Sequence, residues 1–470
     1  MEKLLAILGA GSSSPLGMPS VSDLDGRMEQ WGAEWAKRNG TTDHFQELWD
    51  SAKMYYKRGP TGPRPALNFE KVLGDMVAMA HWMEPPPWGD TLRQAASGGA
   101  PPPHMKFRYR QEPKEEVPEV PLLVCGENDM LGGECEVTGE SSVEDDTRPE
   151  VESTPDHAED DWKGKYGAYI ELMDEYSFLF GRLAQHMRAE SQRLNSANTP
   201  EKEKYRELFR GLRKGFDVGV YNLNYDTAAL DALPGAYTGF GDTGTFEPSV
   251  VHERIEWDFV YHLHGSVHHS LNCRYDRDKI VWRRDLDDEF FDDPEGRWAD
   301  KRSEGRPFPR TTLVAGGFKL DQLLVEPFQS FHASLVRHVY GANAILICGY
   351  GFGDAHINRA LHNRLSHSQG RPPVMVLDRA CDKPGLKSVE DRANWNDPWA
   401  VQLKQTLCAG GFKPSSHASF PRGVFEEASN CRVGVWYGGF IDAERRLRSI
   451  LEWLERGADN VLVPGPAQGV

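Results

Sequence analysis

Residues 4–20 read LLAILGAGSSSPLGMPS: five apolar residues, Leu4 to Leu8, are followed at once by three glycines and four serines. A packed core needs large side chains, so the run is read as a strand and the sequel as a turn with a purpose. The run is continuous rather than alternating, which is how a strand covered on both faces reads. Five more runs of strand length follow: Val218 to Tyr221, Phe259 to Leu263, Ala344 to Cys348, Val374 to Leu377 and Val433 to Tyr437. Helix-like or long connections separate most of them. The expected fold is α/β, a doubly wound, mostly parallel Rossmann-like sheet covered by helices.

Within that frame the chain divides unevenly. From 84 to 162 the sequence turns rich in proline, glycine and acid, with Pro85-Pro86-Pro87 and Glu144-Asp145-Asp146, and is read as an irregular acidic surface insertion. Residues 163–216 form a helical insert. Apolar positions recur every three or four residues in Tyr169 to Met187, and Thr199-Pro200-Glu201 supplies a cap and a first-turn proline for a second helix. The main domain is expected over 1–390. Residues 391–470 are a C-terminal extension that packs on it or mediates assembly, with Leu447, Ile450, Leu451 and Leu454 on one helical face.

A net charge of −17 over 470 residues disfavours direct contact with bare nucleic acid. Seven scattered cysteines without a C-x-x-C pair fit reduced thiols better than disulfides or zinc. No signal sequence or run near the roughly 20 apolar residues of a membrane span is found, so a cytoplasmic protein is expected.

Each further cluster also ends an expected strand. Asn224-Tyr225-Asp226 places an amide and a carboxylate two residues apart, suited to orienting a water and a ligand, or to an Asx turn. His264-Gly265-Ser266 offers an imidazole for proton transfer, or a structural histidine. Gly349-Tyr350-Gly351-Phe352-Gly353-Asp354 can wrap a ribose or turn a corner. In the first turn, Gly9 and Gly11 can take positive φ and approach a pyrophosphate, with Ser12, Ser13 and Ser14 as donors beside a helix end, or can form a plain tight turn. His262, His268 and His269 invite a metal reading but lack acidic or cysteine companions at ligand spacing, and no metal is expected.

Taken in order, GAGSSSPLGMP, NYD, LHGS and ICGYGFGDAHIN resemble the Sir2 family, more narrowly the bacterial Sir2-like domains that degrade NAD in antiviral defence. The resemblance spans Leu4 to Asp378 apart from the insertions. It implies NAD as substrate, with Gly9, Ala10, Gly11, Ser12 and Ser13 along the phosphates and adjacent ribose. Asn224 would hold the nicotinamide ribose and a water, Asp226 would stand by the nicotinamide pocket, and His264 would be the catalytic base. Gly349 and Gly351 would meet the adenosine half, without the serine many relatives have at the latter position. The zinc ribbon and F-G-E-x-x-P stretch of protein deacylases are missing, and Val21 and Ser22 stand where their Phe and Arg would be. Water is therefore the expected acceptor, and NAD hydrolysis to nicotinamide and ADP-ribose the expected reaction, with deacylation or a non-catalytic NAD sensor or scaffold as alternatives. The resemblance also implies a homo-oligomer, abortive infection as the setting, and a partner such as a HerA-type ATPase or a short Argonaute.

Overall fold

Leu4, Ala6 and Leu8 of the first strand face one side, Leu5 and Ile7 the other, and all five are fully buried because helices cover both sides. That is why the run is continuously apolar. The computed structural model describes residues 1–58, 67–83, 157–271, 279–287, 297–299, 308–316, 319–367, 370–379, 388–415, 420 and 424–455.

β1 (Glu2–Leu8) lies between β2 (Phe216–Asn222) and β8 (Ala344–Cys348), parallel to both, with Leu4 opposite Val218 and Ala344. β3 (Val260–His262) continues the sheet beyond β2, and β9 (Val374–Leu377) and β12 (Val433–Trp436) continue it beyond β8, all parallel. The short strands β10 (Lys413–Pro414) and β11 (Phe425–Glu427) add an antiparallel edge. Two separate hairpins pair β4 (His269–Leu271) with β5 (Ile280–Trp282) and β6 (Arg297–Ala299) with β7 (Phe308–Arg310). The order in the main sheet is β10-β11-β12-β9-β8-β1-β2-β3. The chain builds outward from β1 to β3, then returns to β8 and builds the other way. Strand order therefore reverses between β1 and β8, and ligands of open α/β sheets bind beyond the carboxyl ends at such a point.

On the Leu4 side pack the helices Val21–Asn39, Phe69–Met83, His157–Ser196, Pro200–Gly215 and Leu447–Glu455. The first begins with a capping box between Ser20 and Asp23. Pro200–Gly215 starts where Thr199 accepts from the Lys202 amide, and the buried Lys202 ammonium donates to the carbonyls of Leu194, Asn195 and Ala197, closing the preceding helix. Phe328–Gly341, Ala355–Leu365 and Pro398–Thr406 cover the Leu5 side.

The insertion expected at 84–162 lies outside the described residues except for 157–162, which open the helix His157–Ser196 rather than closing an irregular segment. The segment after residue 390 supplies β10 to β12 to the main sheet, and Ile450 and Leu454 of its last helix are buried, with Leu447 and Leu451 packed beside them. Among the described residues no helix is long and apolar enough to cross a membrane.

Candidate active site

The backbone carries the first turn and the fourth into contact. Gly9 N–H donates to the Cys348 carbonyl at 2.9 Å and Gly11 N–H to the Gly349 carbonyl at 3.0 Å. A Cβ on Gly9 would sit 2.6 Å from the Gly349 oxygen, and one on Gly11 2.8 Å from the Gly349 Cα. This corrects the expectation of positive φ: Gly9 has φ −105° and Gly11 is not in the left-handed region either. Both must be glycine because another backbone touches them. Gly349 does lie at φ +57°, and a Cβ there would be 2.3 Å from Gly11 C and Ser12 N. Gly349→Ala should therefore cost about 2–4 kcal/mol, from the left-handed strain and a clash with backbone that cannot rotate away. Urea unfolding checks this; a variant within about 0.5 kcal/mol of wild type would show the turns to be loosely joined. Gly351, by contrast, is exposed with open space where its Cβ would be.

The serines are not free donors beside a developed helix dipole. The helix that Ala10 opens has four residues, Ala10–Ser13, and gives way to a 3-10 turn. Ser12 Oγ donates to the Gly9 carbonyl at 2.8 Å, and both Ser12 and Ser13 are buried. Into this turn reaches Asn224, two residues beyond β2. Its Nδ2 lies 3.0 Å from the Gly9 carbonyl and 3.2 Å from each of Ser12 Oγ and Ser13 Oγ. Asp226 is buried too; burial pushes its carboxyl up, while the Ser13 hydroxyl and the Ala228 amide, at 2.9 Å, pull it down. The Asx turn and the site are thus the same structure.

His264 follows β3. It is 4% exposed, so Gly265 does not open it to bulk water; that glycine sits at φ +94° against the Thr312 carbonyl. Burial pushes the imidazole down to about 3, with Asp354 opposing and Lys319 and His356 adding to the fall. A hydrogen bond to the Leu223 backbone engages the ring, which leaves Nε2 facing two groups: His356 Nε2 at 3.4 Å and Asp354 Oδ1 at 3.8 Å. Lys319 Nζ lies 2.8 Å from Asp354 Oδ1 and 3.0 Å from Glu70 Oε2. Of the charges that act on the imidazole, Asp354 favours a transient imidazolium and Lys319 opposes it. Asp354 accordingly stays far below the usual carboxylate range, and Lys319 stays charged.

All four turns line one cavity of about 1400 Å³, bounded by Gly9, Ala10, Ser13, Asn224, Asp226, His264, Gly349 and Gly351, by Glu70, Lys319, Asp354 and His356, and on the far side by Pro398, Val401 and Gln405. Asp354 and His356 stand in the quoted GYGFGDAHIN stretch, where no spacing marks them out as partners of His264. Glu70 and Lys319 carry no local signal at all. The loop itself is strained: Phe352, buried, sits at φ +55° and is held by Asn358 Nδ2 donating to its carbonyl at 2.8 Å. His262, His268 and His269 gather instead around Trp282. Among the described residues no three of His, Cys, Asp and Glu are grouped to hold a metal ion.

Residues 218–402 match the family model of the SIR2-like domain. That stretch contains Asn224, Asp226, His264, Gly349 and Gly351, and β1 with its turn is joined to it through the pairings with β2 and β8. No curated protein matches the chain.

Proposed function

We propose, from the match of residues 218–402 to the SIR2-like domain model and the NAD-related function that this family supports, that the protein is an NAD glycohydrolase releasing nicotinamide and ADP-ribose. What carries the reading is the meeting of Asn224 and His264 in one cavity with the glycine turn. At about 1400 Å³ the cavity has room for a dinucleotide. The glycine turn and Gly349 offer backbone close to the ligand, and Gly351 adds an unfilled surface.

Cleavage of the bond from ribose to nicotinamide expels a neutral ring and leaves positive charge on the sugar. The chain's part is to hold the ends together, place a water and accept a proton. Asn224, fixed through Nδ2, keeps Oδ1 as acceptor for a ribose hydroxyl or that water. His264, neutral at working pH, presents Nε2 as base, and Asp354 stabilises the proton once taken. Asp226 holds the Ser13 hydroxyl and with it the turn. The zinc ribbon of deacylases is missing from the sequence, and with it the support for a protein substrate.

A hydrolase of this kind would starve its own cell if unrestrained. The resemblance therefore supports a defence role in which NAD is depleted on infection, with control through a homo-oligomer or a partner such as a HerA-type ATPase or a short Argonaute. The test is to incubate purified protein with NAD, with and without candidate activators. Equal amounts of nicotinamide and ADP-ribose are expected, with acetylated peptides untouched. Thermal protection by NAD without nicotinamide under every condition would make the protein a sensor instead.

A further inference from the structure

We propose that His356 and His332 carry the proton of NAD cleavage out of the cavity, a relay leading from His264 toward the helix Phe328–Gly341. The inference rests on the proposed hydrolysis, whose balance demands it. The C–N electron pair leaves on the nicotinamide nitrogen and neutralises the pyridinium, one O–H bond of water breaks as the new C–O bond forms, and one proton is left over per turnover.

His264 takes that proton at Nε2 and is itself buried. Burial disfavours an imidazolium there, so the ring must be emptied before the next cycle. Its neighbours differ in what they can accept. Lys319 already carries its full set of protons, and Asp354 Oδ1 is occupied by the Lys319 ammonium at 2.8 Å. His356 is neutral, and its Nε2 stands 3.4 Å from that of His264. An imidazole accepts at one nitrogen and releases from the other, which makes it the natural relay. The next ring outward is His332, edge-on to His356 with centroids 5.5 Å apart. Its Nδ1 is buried and has no hydrogen-bond partner, while the residue as a whole is only partly buried.

The experiment compares wild type with His356→Phe, which keeps a ring of similar size, and His332→Gln. In dilute buffer His356→Phe should turn over about 10-fold or more slowly in the steady state, and His332→Gln, which does not line the cavity, should release the first nicotinamide per site at the wild-type rate with KM for NAD unchanged. Added imidazole should restore the steady rate in the variant and leave wild type unaffected. His332→Gln should show the same dependence more weakly and serves if His356→Phe does not fold. Steady rates equal to wild type, or a loss that imidazole does not repair in a protein with normal melting and normal KM, would overturn the relay. A wild type that makes no nicotinamide would overturn the hydrolysis itself and the relay with it.

Discussion

Acidification from pH 7 to pH 5 is expected to remove on the order of 5 kcal/mol of folding stability, a large share of the roughly 5–15 kcal/mol that a typical fold has. The cause is a set of histidines buried in the neutral form. His262, His264 and His338 are pushed down to about 3 and His356 to about 4, each chiefly by desolvation. All four are at most 8% exposed. In the unfolded chain they titrate near the ordinary value of about 6.5. Between that value and the folded one the unfolded state binds more protons, so stability falls as pH falls, by about 2 kcal/mol per histidine at pH 5. Asp43 works the other way: burial raises it to about 6, and its neutral form adds stability below that pH. His44, raised through Glu175, also opposes the trend. Two such groups do not offset four. Melting temperature should drop by on the order of 10 °C across the window, and a flat profile from pH 7 to pH 5 would mean that these rings are hydrated in the folded state.

The same burial governs what could be read from sequence. All six apolar runs became strands because each lies in a sheet covered on both faces, a condition that leaves an unbroken hydrophobic signature. β10 and β11 were illegible, being two and three residues long at an edge. The four turns announced themselves through residue types that strand ends need, and the candidate site is the cavity where they meet. Gly9 and Gly11 must be glycine because of the Gly349 backbone, a contact between segments far apart in the chain that no local pattern signals. Glu70 and Lys319 were missed because an ion pair across the cavity has no sequence period, and only the fold brings the start of the helix Phe69–Met83 to the segment before Phe328–Gly341.

Replacement of His264 by alanine should lower the rate of nicotinamide release by about 10²–10⁴-fold, the usual worth of a positioned base, while KM for NAD stays near wild type. The imidazole forms part of the cavity wall beside Asp354 and His356 and has no hydrogen bond to the glycine turn, so its loss removes proton transfer rather than binding. Asn224→Ala supplies the contrast. It deletes the Nδ2 contacts to Gly9, Ser12 and Ser13, takes a donor from the buried Ser12 and Ser13 hydroxyls while the Gly9 carbonyl keeps its bonds from Ser12, and should raise KM as well as lower kcat. The pH dependence separates a base from a merely structural ring. With His264 held neutral down to about 3, wild-type kcat/KM should show no acid limb near the ordinary histidine value, and activity should fail on the acid side only where the fold does. His264→Ala also removes one of the four rings that resist acid folding, so its stability loss between pH 7 and pH 5 should be smaller than that of wild type by about 2 kcal/mol. Activity within about 10-fold of wild type, together with an unchanged acid profile, would mean that this imidazole neither moves the proton nor is desolvated as its burial requires.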